Sequence, residues 1–200
     1  MQAFISLISN WFFSNYIELF ATISGLLYIY FSVKQNVLLW FFGIITSALY
    51  IFVYYNSKFY ADMSLQFYYL AISFYGWYFW VFYKNKEEKE FPVSKTNFKE
   101  AFIYITITIL LFAIYSVILL QTDSNIVYWD SFTTAAGITA TWMLVKKKIE
   151  QWIIWIIVDI VSIVLYLNKE LYLTVILFIV YTILAFVGYF AWKKNLAVKV

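Results

Sequence analysis

Of two hundred residues, 64% are apolar, 24% are aromatic and only 12% are charged. A water-soluble domain is nearer half apolar and a quarter charged, so this chain cannot cover its surface with polar groups and reads as a membrane protein. It has no cysteine and no histidine, all fourteen basic residues are lysine, and the net charge is +3. That excludes disulfides, thiolate metal sites, cysteine nucleophiles and an imidazole base, and the small, dispersed charge gives no argument for nucleic acid.

Residues 1–15 are apolar but lack the basic start and small-residue cleavage site of a secretory signal. They predict a short interfacial helix with Trp11 and Phe12 near the headgroups. Crossing the hydrocarbon core takes about 20 mainly apolar residues. Seven stretches qualify: 16–33, 37–55, 60–82, 101–120, 130–146, 150–168 and 171–192. One connection is long, 83–100, and it holds the single proline, Pro92, and most of the surface charge. The predicted order is an interfacial segment (1–15), a three-helix bundle (16–82), a charged loop (83–100), a linker helix (101–120), a second bundle (130–192) and a tail (193–200). The fold class is an all-α polytopic membrane protein with seven transmembrane helices.

Lysine placement predicts the orientation, because cytoplasmic loops carry the excess of basic residues. One side collects Lys34, Lys84, Lys86, Lys89, Lys95, Lys99, Lys146, Lys147, Lys148, Lys193, Lys194 and Lys199. The other holds only Lys58 and Lys169. Seven spans then put the N-terminus outside, with the 83–100 loop and the C-terminus in the cytoplasm.

The chain also repeats itself. Shifted by 112 residues, 20–80 falls on 132–192 without a gap. Matches include Phe20/Phe132, Thr22/Thr134, Gly25/Gly137, Lys34/Lys146, Trp40/Trp152, Tyr54/Tyr166, Asn56/Asn168, Gly76/Gly188 and Trp80/Trp192. Biased composition does not readily lay glycine on glycine and tryptophan on tryptophan in one register. An odd span between the triplets makes this a parallel 3+1+3 repeat, an arrangement found in transporters with a site near mid-membrane. A duplicated scaffold with no transport role is the plainer alternative.

Polar residues inside spans need a reason. In span three, Asp62, Gln66, Tyr69, Ser73, Gly76, Trp77 and Trp80 fall on one helical stripe. In span six, Trp152, Trp155, Asp159, Ser162 and Tyr166 do the same. Asp159 is the most informative, since a carboxylate at the bilayer centre costs about 2.5–3.5 kcal/mol or more. It must face a cavity, find a partner or be protonated, and its repeat mate is Ser47, so the shared scaffold does not demand the charge. Contact with a polar or cationic solute competes with an interhelical hydrogen bond to Ser or Thr. Trp152 and Trp155 offer faces to a planar cation, although Trp152, near a helix end, also suits an interface anchor. Gln66 and Tyr69 can hydrogen-bond a hydroxylated ligand.

Two stretches resemble a known family. YADMSLQFYYLAISFYGWYFW (60–80) resembles the third span of the PnuC vitamin transporters, and 141–194, with Lys147-x-x-Glu150-x-Trp152-x-x-Trp155-x-x-x-Asp159, is similar to that family's last three spans. The resemblance covers roughly 16–194. It implies a 3+1+3 fold related to the SWEET sugar transporters, in a bacterial inner membrane. It implies uptake of nicotinamide riboside by facilitated diffusion, with trapping by a cytoplasmic kinase; relatives carry thiamine or riboflavin. Binding would fall on Gln66, Trp77, Trp152, Trp155 and Asp159, with Tyr69 from the polar stripe and a span-seven aromatic, Tyr181. No cofactor or metal is implied.

Two other classes stay in view. An intramembrane enzyme would need clustered carboxylates or a His, Cys or Ser constellation, and none is evident, so no enzymatic activity is expected. A proton-coupled carrier could use Asp159. The oligomeric state, a homo-oligomer included, leaves no mark on so apolar a surface.

Overall fold

The computed structural model describes residues 2–56, 60–83, 91–122, 126–168 and 172–197. Among them are seven helices: α1 Gln2–Val33, α2 Leu38–Asn56, α3 Tyr60–Phe82, α4 Phe98–Leu119, α5 Val127–Val145, α6 Gln151–Asn168 and α7 Tyr172–Ala197. The physical reason is general: hydrocarbon offers no partner to backbone N–H and C=O groups, so an apolar run satisfies them within itself as a helix. By length and composition, α2, α4, α6 and Val175–Leu196 of α7 are long and apolar enough to cross a membrane. In α1 the stretch Leu19–Val33 is apolar but shorter.

Most helix ends lie within three residues of the predicted edges, and two do not. No break separates an interfacial helix from the first span: Gln2–Val33 is one helix of 32 residues. At 1.5 Å per residue it runs about 48 Å, against about 30 Å of hydrocarbon. The side chains of Trp11 and Phe12 lie outside the described residues. At the other end α7 continues through Lys193 and Lys194 to Ala197, where cations complement the helix dipole.

The chain forms two compact units, 1–82 and 83–200. In the first, α2 packs against both α1 and α3. In the second, α5 packs against α4 and α6, and α6 against α7. The segment after residue 90 and the linker helix thus belong to the second unit. Small side chains make α5 a close-packing helix: Ala135, Ala136, Gly137, Ala140 and Thr141 are buried. Hydroxyls inside helices mostly donate back to the preceding turn, as Ser131 does to the Val127 carbonyl (2.7 Å) and Thr141 to that of Gly137 (2.8 Å). Some join two helices: Thr108 of α4 and Thr139 of α5 at 2.8 Å, and Thr22 of α1 and Tyr50 of α2 at 3.3 Å. Along α4, the apolar side chains of Phe102, Ile105 and Ile109 are all about 60% exposed or more.

Within each unit the same local geometry recurs 112 positions apart. Among the described residues Gln35 and Lys147 are the non-glycine positions with positive φ, 55° and 46°. Around them the turns close alike: Asn36 N–H donates to Phe31 O (3.0 Å), and Lys148 N–H to Met143 O (2.9 Å). Trp40 meets Trp80 edge to face at 5.4 Å and 87°, and Trp152 meets Trp192 at 5.6 Å and 90°. Each first tryptophan presses on a glycine. A Cβ built on Gly76 would stand 2.5 Å from Cζ2 of Trp40, and one on Gly188 would stand 2.5 Å from Cζ2 of Trp152. These glycines are required by close approach.

Candidate functional site

The residues singled out in the sequence fall into two sets, one in each unit. On α3, Gln66 and Tyr69 are half-buried and Trp77 is 38% exposed. The edge of Trp77 meets Phe41 of α2 at 6.1 Å and 90°, a neighbour that sequence spacing alone does not suggest. The Ser73 hydroxyl, on the same stripe, donates to the Tyr69 carbonyl at 2.7 Å. The side chain of Asp62 lies outside the described residues.

The second set lies on α6 and α7. Trp152, Trp155, Asp159 and Ser162 follow one another at steps of three and four along α6. Trp152 is 3% exposed, Asp159 4% and Ser162 5%, while Trp155 is half-buried. The carboxylate of Asp159 takes no hydrogen bond from any described residue, and neither an ion pair nor a cluster of three metal-ligating side chains forms around it among those residues. Tyr181 of α7 is half-buried and meets Phe178 edge to face at 5.9 Å, and Phe178 stacks on Tyr166 of α6 at 5.3 Å. This aromatic triad was not anticipated, because Phe178 is one of many phenylalanines in an apolar run.

Trp152 differs from the rest of its set. Its ring is taken up by Gly188 and Trp192, and its indole N–H is buried without a hydrogen-bond partner. Its repeat mate Trp40 has the same contacts and the same unpartnered N–H. What both units keep is the shape of a ring laid on a glycine. An apolar groove of about 450 Å³ runs along α7, lined by Ile183, Phe186, Val187, Phe190, Ala191 and Lys194. None of the site candidates lines it.

Comparison with known proteins decides the family. Residues 15–194 match the profile of the family described as nicotinamide mononucleotide transporter. This chain belongs to that family. Its relatives include the nicotinamide riboside transporter PnuC of Escherichia coli K12, 24% identical over 90% of this chain and 86% of the relative. Another is the PnuC of Haemophilus influenzae, 26% identical over 90% of this chain and 80% of the relative. The crystal structure of the vitamin B3 transporter PnuC superimposes with a TM-score of 0.74 at 22% identity, covering 97% of this chain and 88% of that one. The chain is therefore a multi-pass membrane transporter of the PnuC family, as its residue pattern suggested.

For a member of this family, the departures from the repeat are as informative as the matches. At the same shift of 112, Gly43 falls on Trp155, Ser47 on Asp159, Gln66 on Phe178 and Trp77 on Tyr189. Tyr69 and Tyr181 correspond. Packing positions (Trp40/Trp152, Gly76/Gly188, Trp80/Trp192) are duplicated, whereas the amide of Gln66 and the carboxylate of Asp159 have no identical mate.

Proposed function

We propose that this protein carries nicotinamide riboside across the inner membrane by facilitated diffusion. A 3+1+3 parallel repeat would alternate access to a site formed by Gln66, Tyr69, Trp77, Trp155, Asp159 and Tyr181. The twelve-to-two division of lysines supports an outer N-terminus and a cytoplasmic C-terminus. A cytoplasmic kinase would trap the vitamin by phosphorylation.

One observation carries the reading: Asp159 is buried with no partner among the described residues, at a position where the repeat mate is Ser47. A buried carboxylate is normally paired. One with nothing from the protein is suited to a solute that brings its own positive charge. Nicotinamide riboside is a pyridinium cation with ribose hydroxyls, matching a carboxylate, an aromatic face at Trp155 and acceptors at Gln66 and Tyr69. The relatives named as nicotinamide riboside transporters support the same cargo. Trp152 enters the proposal as the post that sets α6 against α7, because its ring is already occupied. Thiamine, also a planar cation with a hydroxyl, is favoured by the same carboxylate and is the second reading.

The test is titration of the purified protein with nicotinamide riboside, thiamine and riboflavin, following tryptophan fluorescence. Saturable quenching by nicotinamide riboside is expected, weakened tenfold or more in Asp159→Asn, because a charge-assisted contact is worth about 1.5–3 kcal/mol. Quenching by thiamine alone would move the assignment to the second reading. Equal affinity in Asp159→Asn would remove the carboxylate from the site.

A further inference from the structure

One feature of the second unit has no counterpart among the described residues of the first. Residues 93–100 lie across the turn between α5 and α6 and are fastened to it at Ser94, Lys95, Thr96 and Glu100. Ser94 N–H donates to the Lys147 carbonyl at 3.0 Å, and Ile149 N–H donates to the Ser94 carbonyl at 3.1 Å. The backbone N–H and the hydroxyl of Thr96 both donate to Glu150 Oε2, at 3.0 and 2.7 Å. Lys148 Nζ donates to the Lys95 carbonyl at 3.3 Å and forms an ion pair with Glu100 at 2.7 Å. Val93 and Ile149 are buried beneath these contacts. Glu100 also closes the capping box on Asn97 that starts α4, so the lysine that holds the segment holds the first turn of the linker helix too.

The repeat gives the control. The mates of Lys148, Ile149 and Glu150 are Asn36, Val37 and Leu38. There the turn closes on itself, the Asn36 side chain accepting from Leu38 N–H at 2.9 Å. Among the described residues nothing pairs with the carbonyl of Gln35 or the N–H of Val37. The turn is thus stable without a strap. In the second unit a lysine and a glutamate occupy that turn, and both spend their hydrogen bonds on 95–100.

We propose that Lys148 and Glu150 are positioning residues that clamp the 93–100 segment to the α5–α6 turn, making α4 one rigid body with α5, α6 and α7 throughout the transport cycle. Glu150 precedes the first residue of α6, and its carbonyl receives the N–H groups of Ile153 and Ile154. The clamp therefore fixes the start of the helix that carries Trp155 and Asp159. This rests on the carrier reading above for its transport consequences, and on geometry alone for the clamp itself.

The chain has no cysteine, so a pair can be introduced cleanly. Ser94 and Lys148 form an isolated parallel bridge, which places their backbones within disulfide reach. In liposomes loaded by external nicotinamide riboside, reduced Ser94→Cys/Lys148→Cys should turn over several-fold more slowly than the unmodified protein, with unchanged ligand affinity. Oxidation should restore the rate. Glu150→Gln should likewise lower turnover without moving affinity, and should raise hydrogen exchange at 93–99 at least tenfold. A disulfide that stops transport until it is reduced would overturn the clamp, because the segment would then have to open in each cycle. Unchanged exchange in Glu150→Gln would overturn it as well. Failure of the unmodified protein to take up nicotinamide riboside would count against the cargo, while the exchange measurement would still judge the clamp.

Discussion

Replacing Gly76 or Gly188 by alanine tests the packing that the two units share. A Cβ on Gly76 would sit 2.5–2.6 Å from Cζ2, Cε2 and Cη2 of Trp40, where carbon atoms prefer about 3.5–4.0 Å. The ring must retreat by about 1 Å, yet Trp40 is 0% exposed and Trp80 stands edge-on to it at 5.4 Å. Overpacking of a tight core typically costs about 1–3 kcal/mol, and a rigid indole held on both sides belongs at the upper end. Alanine recovers about 0.5–1 kcal/mol of helix preference, leaving a net loss of about 2 kcal/mol. For a chain of this size that lowers the apparent Tm by about 4–8 °C. Thermal unfolding in detergent measures it, for Gly76→Ala and for Gly188→Ala, where Trp152 and Trp192 repeat the arrangement. Trp40→Phe removes the ring atoms in conflict, so Gly76→Ala should cost at least 1 kcal/mol less in that background, a coupling within the usual range for contacting residues. A Gly76→Ala protein that melts with the unmodified one, or a double variant whose losses simply add, would refute the clash.

The two α6 tryptophans should separate binding from packing: Trp152→Phe lowers thermal stability with little change in ligand affinity, and Trp155→Leu does the reverse, as read by melting and by titration of the same preparations. Gln35, at φ 55°, should accept glycine with unchanged or slightly higher Tm, whereas Gln35→Val should lose about 1–2 kcal/mol, since a left-handed backbone penalises a β-branched side chain. Nicotinamide mononucleotide should not be carried, because the chain has no arginine and no lysine within the seven predicted spans other than at their ends to pair with a phosphate; uptake by liposomes at a rate equal to that of the riboside would sink that expectation.

The helices and their ends were legible because the bilayer imposes a length and an apolar composition on each, and the repeat was legible because Trp40, Gly76 and Trp80 recur with their spacing intact. The unbroken α1 was not, since an apolar stretch carrying Trp11 and Phe12 suits a separate interfacial helix and the continuation of a long one equally well. Nor was the strap. Ser94 and Thr96 look like ordinary loop residues, and Lys148 and Glu150 look like solvated charge; only the folded turn reveals that a backbone pairing brings them together. The packing of Trp152 was half legible. Its type and place fit a ligand platform or an interface anchor, and its contact with Gly188 is visible only in the fold.

A duplicated fold and an undivided cargo pull the sequence in different directions. Two copies of one bundle can share every packing contact, because tryptophan on glycine works alike in each, and here those contacts recur to within about a tenth of an ångström at the closest atoms. A solute such as nicotinamide riboside has a charged ring at one end and a sugar at the other, so a site that repeated its chemistry would place a carboxylate where a hydroxyl acceptor is wanted. Under the proposed function, the positions where the copies differ are the ones that would tell the two ends of the cargo apart. Ser47 opposite Asp159, Gly43 opposite Trp155 and Phe178 opposite Gln66 are differences of that kind. Making Ser47→Asp should accordingly fail to create a second binding site and should lower stability, since in the first unit a buried carboxylate would gain no cation to offset its desolvation.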